Sequence, residues 1–281
     1  MNASEPHPRI GILGGEVDVI TPGEMLHFVD ILAAAGGSAV IANHNAHSLS
    51  LLQRNTELGA FFDDADLVQF DSTPLIAWAR LLGLPVSGRH RSTYLDWRED
   101  FWPLADARGW KVFYLGGGPG VAERACAKLA KAWPSVAFGW RDGYFDTSAN
   151  SPDNRHVVAE INAFEPDILF VGMGMPRQEL WISQNRLELG GGVIFSVGAA
   201  FDYEAGVQTV APRWLGPLGL EWLFRLANQP RRLGHRYLIE PWRLLAPAFA
   251  DVRRALRGRR AGRRRIPAVD AGGVWPLSSA N

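Results

Sequence analysis

Asp167-Ile-Leu-Phe-Val-Gly-Met-Gly-Met-Pro-Arg-Gln-Glu-Leu-Trp181 and Val193-Ile-Phe-Ser-Val-Gly-Ala-Ala-Phe-Asp-Tyr-Glu-Ala-Gly206 repeat one pattern: an apolar run, a glycine turn, then polar residues. Unbroken apolar runs of this length fit parallel strands covered on both faces. Glycine directly after such a strand lets a ligand approach the backbone, and ligands of open α/β sheets sit at those carboxyl ends. The pair therefore predicts neighbouring strands of a Rossmann-like sheet, with Gln178 and Asp202 beside a nucleotide pocket.

Working outward, strands alternate with helices. Ile10–Leu13 reads as a strand, and Thr21-Pro-Gly-Glu24 as a capping-box start to a helix ending near Ala35. Further strands are expected at Ser38–Ala42, Asp66–Phe70, Val112–Leu115 and Val136–Trp140, with helices after Ala46, Glu57, Leu75, Val121 and Val157. That rhythm predicts an α/β fold, a mostly parallel sheet with helices on both faces. Residues 9–206 form the expected Rossmann-like core, and residues 1–8 are expected to be disordered. Residues 207–257 are a helical basic appendage, and 258–281 an expected disordered tail.

Composition narrows the function classes. A hydrophobic content of 47% is ample for a packed core. The single cysteine, Cys126, excludes an intrachain disulfide and a CxxC metal site and suits a reducing cytosol. The N-terminal residues lack a signal-peptide pattern, and no run reaches transmembrane length. Net charge is zero, yet residues 231–265 carry twelve arginines against Glu240 and Asp251. A cationic end on a neutral chain is built to meet an anion. No zinc knuckle, RNP-type motif or helix-turn-helix signal accompanies it, which argues against nucleic acid. No metal-ligating pattern appears, and neither a metal nor another cofactor is expected.

The candidate site residues each have two readings. Gly116, Gly117 and Gly118 precede a helix and offer backbone amides to an anion, or simply make a tight turn. Asp71 ends a strand, as a general base or as a helix cap. Asn43 and Asn45 end another, as sugar ligands or turn formers, with His44 between them open to substrate contact. Gln178 and Asp202 suit a base edge or ribose hydroxyls, or cap helices. Arg213, Arg225, Arg231, Arg232 and Arg236 lie among large apolar residues, suited to a diphosphate or to a solvated helix face.

These residues also carry a resemblance. Ala65-Asp-Leu-Val with Asp71, Tyr114-Leu-Gly-Gly-Gly-Pro-Gly-Val-Ala-Glu123, Pro166 to Glu179 and Val197-Gly-Ala-Ala-Phe-Asp202 all take part. So do Ala211-Pro-Arg-Trp214, Gly219-Leu-Glu-Trp-Leu-Phe-Arg-Leu226 and Pro230-Arg-Arg232 with Tyr237. Over roughly residues 10–245 the chain resembles the WecG/TagA/CpsF glycosyltransferases. The resemblance implies a Rossmann-like core with a C-terminal appendage. It implies inverting, metal-independent transfer from a UDP-sugar to a polyprenyl-diphosphate-linked saccharide, in cell-surface or exopolysaccharide biosynthesis. It places Asp71 as catalytic base, Asn45 near the donor sugar, and Arg89 at the active site. Gln178 matches the glutamine of Pro-x-Gln-Glu, and Asp202 a nucleoside contact. Arg213, Arg225 and Arg232 match appendage arginines over the diphosphate.

Three departures line the N-terminal half of the site: Ser72 for glycine, Asn43 for threonine and Tyr94 for an acid. They point to changed sugar specificity. The alternative that Ser72 and Tyr94 favour is a non-catalytic nucleotide-sugar-binding subunit of a polysaccharide assembly complex. The Trp- and Leu-rich basic appendage suits an anionic membrane surface, placing the chain in the cytoplasm on the inner face of the plasma membrane. Homo-oligomer formation stays open.

Overall fold

The computed structural model describes residues 7–216 and 218–257. The chain opens with an antiparallel hairpin, β1 (Arg9–Ile12) and β2 (Gly15–Asp18). There follow α1 (Pro22–Ala34), β3 (Ser38–His44), α2 (Ala46–Leu52), α3 (Thr56–Asp64), β4 (Leu67–Phe70) and α4 (Thr73–Leu81). Next come α5 (Tyr94–Arg108), β5 (Lys111–Gly116), α6 (Val121–Ala132), β6 (Ala137–Arg141), α7 (Pro152–Phe164) and β7 (Ile168–Gly172). Then α8 (Arg177–Asn185), β8 (Gly192–Ser196) and α9 (Ala200–Glu204) lead into α10 (Glu221–Asn228), α11 (Pro230–Leu238) and α12 (Leu245–Leu256).

β3 to β8 form one six-stranded sheet in the order β4-β3-β8-β7-β5-β6, every pairing parallel. The α/β, Rossmann-like expectation is met. Strand alternation divides the core between the two faces. Ala39, Ile41, Val112, Phe170 and Phe195 pack with α1, α5, α6 and α9, while Val40, Phe113, Leu169 and Ile194 pack with α3, α7 and α8. At the centre of the first face Trp97 and Phe101 of α5 meet Phe170, ring centroids 6.1 and 5.2 Å away. Each such buried ring contributes about 3 kcal/mol of transfer free energy.

Two sequence expectations need correction. The Ile10–Leu13 strand belongs to the separate hairpin and not to the parallel sheet. Leu13 and Gly14, at φ 50° and 83°, turn the chain back at once. The hairpin is tied down by the buried Arg9–Asp18 pair at 2.7 Å, whose Asp18 also accepts from the Val68 amide at 2.7 Å. The expected disorder of residues 1–8 does not extend to Pro8, whose carbonyl accepts from Val19 N at 2.9 Å. Residues 1–6 and the tail expected to be disordered, 258–281, lie outside the described residues.

The capping box predicted at Thr21 is formed, Glu24 returning a 2.8 Å bond to the Thr21 amide. Beyond residue 206 the chain crosses the open end of the sheet and returns to the hairpin. The carboxylate of Asp251 on α12 accepts from Leu13 N at 2.8 Å and from the Trp78 indole at 3.1 Å. Leu244 joins the hydrophobic cluster around β1, β2 and α4. The appendage is thus anchored at its far end, and α10 and α11 span the gap between two fixed points.

Candidate active site

A cleft of about 430 Å³ opens at the carboxyl ends of β3, β4, β7 and β8. The sheet supplies its floor. The roof is the appendage, from which Arg225, Arg232, Arg236 and Tyr237 reach inward. This is where an open α/β sheet receives its ligand.

Asp71 stands just past the end of β4, its amide donating to the His44 carbonyl at 2.9 Å. The residue that caps α4 is Ser72, which makes no side-chain capping bond. The helix-cap reading of Asp71 therefore falls away, and its half-buried carboxylate faces the cleft. Asn45 holds it there. The Asn45 Oδ1 accepts from the amides of His47 and Ser48 at 3.0 and 3.1 Å, capping α2, while its Nδ2 donates to Asp71 Oδ2 at 3.0 Å. The turn-former reading of Asn45 holds for its Oδ1, while its Nδ2 is turned to Asp71 in the cleft.

Burial pushes the Asp71 carboxyl above its ordinary range, against the Asn45 hydrogen bond and the charges of Arg225 and Arg236. A carboxylate made more basic in this way is suited to take a proton from a hydroxyl. Opposite it, the Arg225 guanidinium lies 5.8 Å from the Tyr203 ring centroid. The buried Nε of Arg236 has no hydrogen-bond partner among the described residues. Three guanidiniums reaching into the cleft, one with an unpaired buried donor, make an anion-binding roof.

Gln178 joins the two repeated turns. Its Oε1 accepts from Gly174 N and from Gly198 N, both at 3.1 Å, and its Nε2 donates to Glu179 at 2.6 Å. One side chain thereby fixes the glycine turn after β7 to the glycine turn after β8.

The glycosyl transferase WecG/TagA/CpsF family model matches residues 10–258. The chain is also similar to N-acetylglucosaminyldiphosphoundecaprenol N-acetyl-beta-D-mannosaminyltransferase of Staphylococcus aureus strain MW2. The two are 27% identical over 236 residues, covering 80% of this chain and 87% of that protein. The enzyme of the same name from strain NCTC 8325 / PS 47 matches to the same extent. The chain belongs to the WecG/TagA/CpsF glycosyl transferase family.

Within this glycosyltransferase, a hexosyltransferase by its family, the remaining candidates are placed as follows. Asn43 lines the cleft and donates to the Ser196 carbonyl at 2.7 Å, bracing β3 against β8. His44, expected as a substrate contact, is buried on the opposite face with its ring 3.9 Å from that of Phe62. Strand alternation sends it away from its neighbours, and burial holds its imidazole neutral, pulled down to about 3. Gly116, Gly117 and Gly118 stand outside the cleft lining. A Cβ on Gly116 would sit 2.3 Å from the Gly172 carbonyl oxygen, and Gly117 N already donates to that oxygen at 3.2 Å. Strand packing accounts for Gly116, and the turn for the positive φ of 68° at Gly117.

Asp202 also stands outside the lining, on α9, where burial raises its carboxyl and Arg232 draws it back. Arg89 is exposed beside the His90 ring; Arg91, two residues on, is the one that reaches Asp96 at 2.5 Å and Glu221 at 3.2 Å. Arg213 lies in a 3-10 turn, Arg213–Leu215. Tyr94, the departure from the family acid, donates to Glu204 at 2.6 Å and accepts from the Trp102 indole at 3.0 Å. Its hydroxyl is committed to that network, which Arg98 closes with bonds of 2.7 and 2.8 Å to Glu204.

Sequence reading did not single out Gln69, Ser92, Tyr203 or Glu240, all of which line the cleft. Glu240 binds His47 Nδ1 at 2.5 Å across 193 positions, and nothing local announces such a contact. Arg236 was noted only as one arginine among several, although its spacing of four from Arg232 puts both on one face of α11.

Proposed function

We propose that this glycosyltransferase moves a sugar from a UDP-sugar to a polyprenyl-diphosphate-linked saccharide, with inversion and without a catalytic metal. The observation that carries the reading is the pairing of one half-buried carboxylate, Asp71, with a roof of three arginines across a single cleft. Asp71 accepts the proton of the acceptor hydroxyl as its oxygen attacks the anomeric carbon. The bond from that carbon to the UDP oxygen breaks on the opposite side. Arg225, Arg232 and Arg236 take up the charge on the leaving diphosphate, the work a divalent cation does in other sugar transferases. Arg213 is kept as a further member of this set. Gln178 positions the two turns that receive the nucleotide, with Asp202 and Gly116–Gly118 at its edge. Asn43 and Asn45 lie towards the sugar, and Arg89 at the acceptor entrance. The named relatives act on a diphosphoundecaprenol-linked N-acetylglucosamine, which supports a lipid-linked acceptor here.

A lipid-linked acceptor calls for a membrane-facing surface, and we place it on the appendage, at the inner face of the plasma membrane. Among the described residues, Leu81, Trp140, Tyr144 and Leu187 are the exposed large apolar side chains before residue 207. After it come Trp214, Leu218, Leu223, Ile239, Trp242 and Phe249, beside arginines. No described helix is long and apolar enough to cross a membrane. Five of the twelve clustered arginines, Arg259, Arg260, Arg263, Arg264 and Arg265, lie outside the described residues.

The test is transfer itself. A panel of UDP-sugars with a polyprenyl-diphosphate-linked acceptor, read by product mass and by NMR of the new linkage, should give one dominant product with inverted anomeric configuration, at a rate unaffected by EDTA. Donor binding with no transfer to any lipid acceptor would favour the non-catalytic subunit. A rate abolished by EDTA and restored by a divalent cation would overturn the arginine roof as its substitute.

A further inference from the structure

The roof is held over the floor by very little apolar packing. α10 buries none of its residues and α11 only Leu233, although these helices carry Arg225, Arg232 and Arg236 into the cleft. A segment with so few buried apolar contacts opens cheaply unless polar contacts fix it. At the start of α10 the fixing contact is Arg91 with Glu221, at 3.2 Å. At the end of α11 it is Glu240, the first residue of the 3-10 turn Glu240–Leu244, which has no role in the scheme above.

Glu240 is 8% exposed and lines the cleft. Its Oε2 accepts from His47 Nδ1 at 2.5 Å, and its Oε1 lies 3.4 Å from Nδ1 of His235 in the last turn of α11. Its carbonyl accepts from the buried Ser50 hydroxyl at 3.1 Å. His47 and Ser50 both belong to α2, so the turn is bound to that helix through side chain and backbone alike. The contacts continue to the base. The His47 amide donates to Asn45 Oδ1 at 3.0 Å, and Asn45 Nδ2 donates to Asp71 Oδ2 at 3.0 Å. On the roof side, burial disfavours the charge on Arg236, four residues before Glu240, while Tyr237, Asp71 and Glu240 favour it. Floor and roof thus meet through one carboxylate and one imidazole.

We propose that Glu240 and His47 are positioning residues, a latch that holds the arginine roof in register with Asp71. The group that takes the proton and the groups that take the leaving charge are then set together. An error of about 1 Å in such a register costs on the order of 10²-fold in rate. The latch rests on the reading of Asp71 as base and of the arginines as the diphosphate site.

Full-length His47→Leu, Glu240→Leu, the double variant and His47→Asn test it. The readouts are steady-state transfer, with the best donor of the UDP-sugar panel and the polyprenyl-diphosphate-linked acceptor, and amide hydrogen exchange. Each single Leu variant should lose about 10²-fold in kcat, with KM for the donor within about threefold of wild type. The double variant should lose no more than either single one, because the two side chains act as a unit. His47→Asn should recover kcat to within about fivefold of wild type, since its amide nitrogen stands on the same γ carbon as the imidazole Nδ1. In the exchange measurement α11 should open in the Leu variants while the parallel sheet keeps its protection. A wild-type kcat in His47→Leu with a lowered Tm would overturn the proposal, because the pair would then serve stability alone. Losses that multiply in the double variant, or a His47→Asn as slow as His47→Leu, would overturn it too. If wild type transfers no sugar, the reading of Asp71 and the arginines fails, and exchange decides the latch by itself. In that case faster exchange of α11 in His47→Leu supports it, and exchange equal to that of wild type overturns it.

Discussion

The two halves of the cleft are built on opposite terms. On the β7–β8 side the groups that join the glycine turns are spent on one another: Gln178 accepts from both turns, and Gly117 N is paired to the Gly172 carbonyl. On the β3–β4 side several are unspent, among them the Nε2 of Gln69, the hydroxyl of Ser92 and one face of the Asp71 carboxylate. A site that must hold one ligand part still while another reacts gains from this division. The paired side needs no rearrangement on binding, and the unpaired side reserves its hydrogen bonds for the reacting sugars.

The largest effect that could break this contrast lies at Asp71. Asp71→Asn keeps the shape and the Asn45 contact but cannot take a proton. Transfer should fall by about 10²–10⁴-fold while UDP binding, measured by titration, stays within a few-fold of wild type. A variant that transfers normally would leave the unpaired side without its chemistry. On the paired side the expected losses are structural. Gly116→Ala drives a Cβ to 2.3 Å from a backbone oxygen that cannot move without β7, at a φ of 155°. Chemical denaturation should show a loss of about 3 kcal/mol, the upper range for an added methyl in a packed site. Gln178→Ala leaves the Gly174 and Gly198 amides without their acceptor, and about 2 kcal/mol should be lost together with UDP affinity. If stability falls and UDP affinity does not, the clamp supports the fold and not the ligand.

The contrast was half legible in the sequence. Strand runs, glycine turns and the Thr21 capping box are local signals, and they gave the parallel sheet and the repeated turns. Asp71 and the arginines could be named because a charge at a strand end or in an apolar helix has few reasons to be there. What lay hidden is what distance hides. The bond from Asp251 to Leu13 joins residues 238 apart. α5 was not foreseen, although Tyr94, Trp97, Phe101, Trp102 and Ala105 keep helical spacing, because Pro103 inside it reads as a break. Gln69 looked like one polar residue in a short apolar strand. Only the pairing of β3 with β4 shows it beneath the cleft, and only the absence of a partner gives it meaning.

The smallest expected effect tests how complete the pairing on the β7–β8 side is. Glu179 is fully buried, accepts from Gln178 through Oε1, and has no partner for Oε2 among the described residues. Burial raises its carboxyl from 4.5 to about 7, the Gln178 bond pulling the other way. The folded chain therefore holds a proton that the unfolded chain releases between about pH 4.5 and 7. Stability from this group is fully present below that window and is lost as pH rises through it. The shift corresponds to an upper limit on the order of 3 kcal/mol lost by pH 8. Glu179→Gln removes the titration but leaves an unpaired amide hydrogen, so the net gain at pH 8 should be about 1 kcal/mol, with none at pH 5. Urea denaturation at the two pH values checks it. An equal effect at both would mean that Glu179 stays ionised in the fold, and that the Gln178 clamp rests on a charge and not on a neutral pair.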